Sequence, residues 1–270
     1  EWPNTLAYTT RRPLGVVSII TPWNFPLAIP SWKIAPALIC GNTVVFKPAT
    51  STPLSGINLV SLFEEAGLPP GVLNIITGPG SAIGDTLVTH PMVKGVSFTG
   101  STDTGSRLYS MGAGQLKKVQ CEMGGKNAVI VLSDADIEKA LTAVVEGAFG
   151  STGQRCTATS RLIIEDAIYD NFISTLIDIT KKLRIGYGLL PGIDIGPASS
   201  EEQLEQILRY IELGKVEGAT LAYGGNRITG AEFDQGFYVE PTIFTDVEAN
   251  MSIAQEEIFG PVLTCFKVKD

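Results

Sequence analysis

The sequence predicts an α/β fold with a mainly parallel sheet, and three observations carry that expectation. Short β-branched runs alternate with amphipathic segments, their connections are short, and a second set of the same kind follows a Gly-Gly pair at 124–125. Residues 15–20, 43–46, 72–76 and 96–98 read as strands. Between the second and third, residues 52–66 carry Leu54, Ile57, Leu62 and Phe63 at helical spacing and stop at Gly67, a natural helix C-cap residue. Strand, helix and strand so closely joined make a βαβ unit. Beyond Glu122, residues 127–132 and 161–164 read as strands and 168–183 as a helix. Residues 136–149 read as a helix with Ile137, Leu141, Val144 and Val145 along one face. Ser199 with Glu202 forms a capping box for a further helix through Leu204, Ile207, Leu208 and Ile211. Gly124-Gly125 lets the chain cross between lobes, which divides it into domains 1–124 and 125–270; an ordinary turn within one sheet is the alternative. No repeat, low-complexity tract or membrane span is visible.

Composition narrows the function. With 44% apolar and 18% charged residues the chain is globular. A net charge of −8 offers no basic footprint, so neither nucleic acid nor a membrane is expected as partner. The four cysteines, Cys40, Cys121, Cys156 and Cys265, have no metal-ligand spacing, so no metal is expected. Three of them read as free buried thiols in a reduced cytoplasm. The single histidine, His90, lies in what reads as a turn before Pro91. A Ser-His-Asp or Cys-His hydrolase would depend on it alone, and multi-histidine zinc sites are excluded.

Several short segments carry chemistry. Cys156 sits among small polar residues in Ser151-Thr152-Gly153-Gln154-Arg155-Cys156-Thr157, between a helix and a strand. A thiolate in a loop is a candidate nucleophile, and an inert thiol is the alternative. Arg155 beside it would favour the thiolate. Glu122 ends the apparent strand at 119–121 and is followed by glycines, the place of a general base at a strand's carboxyl edge or of a solvated surface carboxylate. Asn24 in Pro22-Trp23-Asn24-Phe25-Pro26 follows the first strand, where its amide could hold an oxyanion or close a turn. Gly100-Ser101-Thr102-Asp103-Thr104-Gly105 lies between a strand and a helix, a setting that suits a pyrophosphate although the full GxGxxG is absent. Gly78-Pro79-Gly80 provides a second close backbone approach, and Lys47 ends a strand ahead of Pro48, Ala49 and Thr50. Glu256-Glu257-Ile258-Phe259-Gly260-Pro261 reads by itself as a helix end and a Gly-Pro turn.

Taken in order, these segments resemble the aldehyde dehydrogenase superfamily, the NAD(P)-dependent enzymes that oxidise aldehydes to acids, over nearly all 270 residues. The resemblance implies a Rossmann-like cofactor lobe followed by the α/β catalytic lobe of that fold. It makes Cys156 the nucleophile, Glu122 the base that activates the deacylating water, and Asn24 the oxyanion donor. It gives Trp23, Lys47, Ala49, Thr50, Gly78, Gly100, Ser101, Gly105, Glu257 and Phe259 to NAD or NADP. One position departs from the NAD-preferring branch: Thr50 stands where a glutamate would hold both ribose hydroxyls, so NADP use is expected. The run Gly153 to Arg161 is similar to the branch acting on α-ketoglutarate semialdehyde. Arg155 is then the expected anchor for the substrate carboxylate, unless it packs between lobes or only tunes the thiol. A CoA-acylating or reductive semialdehyde enzyme and an inactive fragment are the rival readings. The resemblance further implies a cytoplasmic homo-dimer or homo-tetramer of which this chain is an internal segment.

Overall fold

The structure is a computed structural model and describes residues 3–269; Glu1 and Trp2, where the sequence begins without methionine, lie outside them, as does Asp270. The chain separates into two compact units, Glu1–Gly124 and Gly125–Asp270.

The first unit is an all-parallel sheet of five strands: β1 (Val16–Ile20), β2 (Thr43–Lys47), β3 (Leu73–Ile75), β4 (Val93–Gly100) and β5 (Lys118–Met123), in the order β3-β2-β1-β4-β5. Four helices connect them: α1 (Ala28–Ile39), α2 (Pro53–Glu65), α3 (Gly80–Thr89) and α4 (Thr102–Ala113). Because neighbouring strand residues point to opposite faces, Ile19, Val44 and Phe46 pack with Ile34 of α1. Ile20, Val96 and Phe98 pack with Val88 of α3 and Leu108 of α4 on the other face. Strands covered on both faces become continuous apolar runs, which is why the sequence reads as it does. The order runs one way from β1 to β3 and the other way from β4 to β5, which gives the Rossmann-type arrangement with its crevice at the strands' carboxyl ends.

The second unit has a mixed sheet in the order β6-β7-β10-β9-β8. Its strands are β6 (Asn127–Val131), β7 (Thr159–Glu165), β8 (Thr220–Tyr223), β9 (Thr242–Thr245) and β10 (Val262–Val268), and only β8 on the edge is antiparallel to its neighbour. Helices α5 (Ile137–Phe149) and α6 (Asp166–Thr180) cover one face through Val144, Phe172 and Leu176 against Leu162, Ile164 and Leu263. Helix α7 (Glu201–Val216) covers the other through Leu204, Ile207 and Ile211 against Phe244 and Val262.

Several expectations need correction. The α7 cap is Ser200, whose hydroxyl accepts from the Gln203 N–H at 3.2 Å, and not Ser199 with Glu202. Strand β5 runs from Lys118 to Met123, so Glu122, expected at its carboxyl edge, lies one residue inside that edge, opposite Thr99. Of the three thiols expected to be buried only Cys265 is; Cys121 is half-buried and Cys40 exposed. Among the described residues no helix is long and apolar enough to cross a membrane, and no group of three or more His, Cys, Asp or Glu side chains could hold a metal ion.

Candidate active site

Within the first unit, the sequence-predicted residues gather at the carboxyl ends of the strands. Asn24 and Trp23 follow β1, Lys47 ends β2 with Ala49 and Thr50 just after it, and Gly78 follows β3. Gly100 ends β4, Ser101 caps α4, and Glu122 is one residue from the end of β5. In that edge the first turn of α4 offers its free N–H groups, the arrangement that binds phosphate. Ser101 Oγ accepts from the Thr104 N–H at 3.4 Å and so holds this turn in place. Two glycines make the close approach possible. A Cβ on Gly105 would lie 2.5 Å from Met123 Sδ, so any larger residue there would have to push that side chain aside for α4 to pack on β5. At Gly78, φ is 149°, a conformation that side-chain-bearing residues rarely adopt. The Thr50 hydroxyl donates to the Gly78 carbonyl at 3.2 Å, tying the turn after β2 to the turn after β3.

Two lysines of this unit are set by burial. Lys47 is 4% exposed, its ammonium donates to the Pro48 carbonyl at 3.1 Å, and desolvation lowers its pKa. Lys33, on α1, was not singled out in the sequence. Its ammonium donates to Ser97 Oγ at 2.9 Å and to the Phe98 carbonyl at 3.4 Å. Burial lowers its pKa, while the charges of Glu122 and Cys121 act in the opposite sense, which places a cation beside the candidate base.

In the second unit, Cys156 is exposed in the loop between α5 and β7. The preceding turn is strained: Ser151, Thr152 and Gly153 take φ of 54°, 58° and 64° in succession. Two residues with side chains in this region cost roughly 1–3 kcal/mol each, and the surrounding contacts hold them there. The Thr152 hydroxyl donates to the Gly196 carbonyl at 3.0 Å, and Gln154 Oε1 accepts from the Ser199 N–H at 2.9 Å. Gly153 is needed because a Cβ there would lie 2.1 Å from the Gly260 carbonyl oxygen. The segment from Glu256 to Pro261 is therefore packed backbone to backbone against the cysteine loop.

Arg155 turns its guanidinium to α5, donating to the Glu146 carbonyl at 2.6 Å and the Gly147 carbonyl at 3.0 Å. These carbonyls lie in the last turn of α5, where the Glu146 carbonyl also accepts from the Gly150 N–H, and the negative end of the helix suits a cation. That is a packing contact within the second unit, distinct from the packing between lobes that the sequence left open.

Glu257 and Phe259 border one cavity with Gly125, Gly153, Arg155 and Gly260. The glutamines of α7 hold this segment, Gln203 by donating to the Phe259 carbonyl at 3.0 Å and Gln206 to that of Ile258 at 3.1 Å. Phe259 itself has φ of 58°. Burial raises the pKa of Glu257, opposed by the Gly125 N–H and by Lys126. Lys126, which the sequence reading passed over, has a buried ammonium and is brought down to about 8 by burial and by Arg161, while Glu257 and Glu256 act the other way.

The model of the family described as "Aldehyde dehydrogenase family" matches residues 1–270. The chain belongs to the aldehyde dehydrogenase family. It is 52% identical over 265 residues to the alpha-ketoglutaric semialdehyde dehydrogenase of Bacillus subtilis, covering 98% of this chain and 54% of that protein. It is 50% identical over 270 residues to the 2,5-dioxopentanoate dehydrogenase of Saccharolobus solfataricus, covering 99% and 55%. Among solved structures, the betaine aldehyde dehydrogenase of Staphylococcus aureus in complex with NAD+ superposes with a TM-score of 0.94 at 42% identity, over 96% of this chain and 51% of that one. The chain thus spans about half the length of the family members it matches.

Proposed function

We propose that the protein containing this chain oxidises an aldehyde to a carboxylic acid with NAD or NADP. The observation that carries the reading is Cys156, an exposed thiol on a loop held in a strained turn within a family matched along the whole chain. The residues divide the work. The Cys156 thiolate adds to the aldehyde carbonyl, and Asn24 with the Cys156 N–H holds the resulting oxyanion. A nicotinamide held in the first unit would supply the hydride acceptor, and loss of hydride from the tetrahedral carbon would leave Cys156 as a thioester. Glu122 takes a proton from water, which attacks the thioester and releases the acid and the thiol. The α4 N-terminus with Ser101, the glycines Gly78, Gly100 and Gly105, and Trp23, Lys47, Ala49 and Thr50 would hold the dinucleotide in the first unit, with Glu257 and Phe259 contributing from the second.

For the substrate we favour a carboxylated semialdehyde, α-ketoglutarate semialdehyde above all, on the identities of 52% and 50% to enzymes named for it. A cytoplasmic homo-dimer or homo-tetramer is the assembly proposed for the full-length protein. The test is Cys156→Ser in that protein, assayed for cofactor reduction with this aldehyde. Activity should be lost, whereas Cys40→Ser and Cys121→Ser keep most of it. Normal turnover by the Cys156 variant would reject the reading.

A further inference from the structure

Asn127, the first residue of β6, lies 29 positions before Cys156 yet holds that residue's backbone. Its side-chain Nδ2 donates to the Cys156 carbonyl at 2.7 Å and to the Ala158 carbonyl at 3.1 Å. An amide NH2 has two donors, and both are used here on carbonyls of one loop, which also fixes which end of the amide faces it. The strand pairing explains the aim of the side chain. Asn127 pairs with Thr159, but its neighbour Ala128 pairs with Arg161, so β7 bulges at Ser160. Bulges redirect side chains and recur beside active sites. Hydroxyls stabilise this one: Ser160 Oγ donates to the Asn127 carbonyl at 3.2 Å, and Thr264 Oγ1 to the Ser160 carbonyl at 2.9 Å.

We infer that Asn127 is a positioning residue for the nucleophile, a clip that fixes the peptide following Cys156. The inference rests on the reading of Cys156 as the nucleophile. On the other side of the thiol, Arg155 is fastened to α5. Cys156 is thereby gripped by its neighbours in both directions, and its Sγ is left to move mainly by rotation about its own Cα–Cβ bond. Such restraint keeps a reacting atom within its productive geometry, where small misplacements have large effects on rate.

The test needs no dinucleotide. In p-nitrophenyl acetate, attack by the Cys156 thiolate forms the C–S bond of an acetyl thioester and expels p-nitrophenolate as the ester C–O bond breaks. Stopped-flow absorbance gives the rate, and peptide mass mapping assigns the acetyl group, with exposed Cys40 as reference in the same molecule. Asn127→Leu removes both donors, and Asn127→Asp keeps the shape and removes them at neutral pH. Acetylation of Cys156 should slow by about 10²-fold in either variant that keeps the wild-type unfolding midpoint, with the Cys40 rate unchanged. Wild-type acetylation of Cys156 in a folded variant overturns the clip and leaves the nucleophile standing. Wild-type protein whose Cys156 acetylates no faster than Cys40 removes both.

Discussion

Thr50 shows how much one side chain can decide. Its hydroxyl donates to the Gly78 carbonyl at 3.2 Å, so it is a small neutral group fixed at the turn beyond β2. A carboxylate in that place would hold two ribose hydroxyls and repel a 2′-phosphate, whereas a hydroxyl tolerates the phosphate. The full-length wild type should therefore turn over NADP, and Thr50→Glu should move the kcat/KM ratio toward NAD by about tenfold or more, the equivalent of about 1.4 kcal/mol. Steady-state kinetics with both cofactors decide it, and a wild type with no detectable NADP reaction would sink the argument. Residues of this kind were legible in the sequence because each sits in a contiguous run of unusual composition, as Cys156 does among small polar residues. Lys33, Lys126 and Asn127 were not. Their environments come from partners such as Ser97, Glu257 and Cys156, tens of residues away along the chain, which no local pattern connects.

Among the elements, α7 is the clearest case of a local pattern with two solutions. Ser199-x-x-Glu202 and Ser200-x-x-Gln203 both satisfy the capping pattern. The choice falls to Ser200 because the Ser199 N–H is already bound to Gln154 Oε1 at 2.9 Å and Ser200 is extended, with φ −157° and ψ 169°. Ser200→Ala should lower stability by about 1 kcal/mol and Ser199→Ala by less than about half of that. Chemical denaturation midpoints measure both, and equal losses would return the cap to Ser199. Helix α1 was invisible for a different reason: it contains Pro36 in its interior, which lacks the N–H that helix propagation uses. The burial of Ile29 and Ile34 outweighs that defect, and burial is a tertiary quantity. Strands β8 and β9 are four residues each and lie in a mixed sheet, too short for periodicity to mark them.

At the scale of the whole molecule, each unit carries its own core. The two sheets share no strand, and each apolar cluster draws its residues from one unit alone. The boundary falls at two successive glycines, where the sequence has no apolar residue to continue either sheet. We propose that these units are separate domains, the first for the dinucleotide and the second for the nucleophile, and that a defect in one core stays in its own unit. Leu162 is fully buried among Val144, Phe172 and Leu176, so Leu162→Ala leaves a cavity that costs about 2–5 kcal/mol. Native-state hydrogen exchange then reports the two sheets separately. Amides of β7 and β10 should lose protection in the variant, and those of β1 and β4 should keep theirs. Equal losses in both sheets would mean that the 270 residues open as one cooperative body, and the two-domain proposal would be withdrawn.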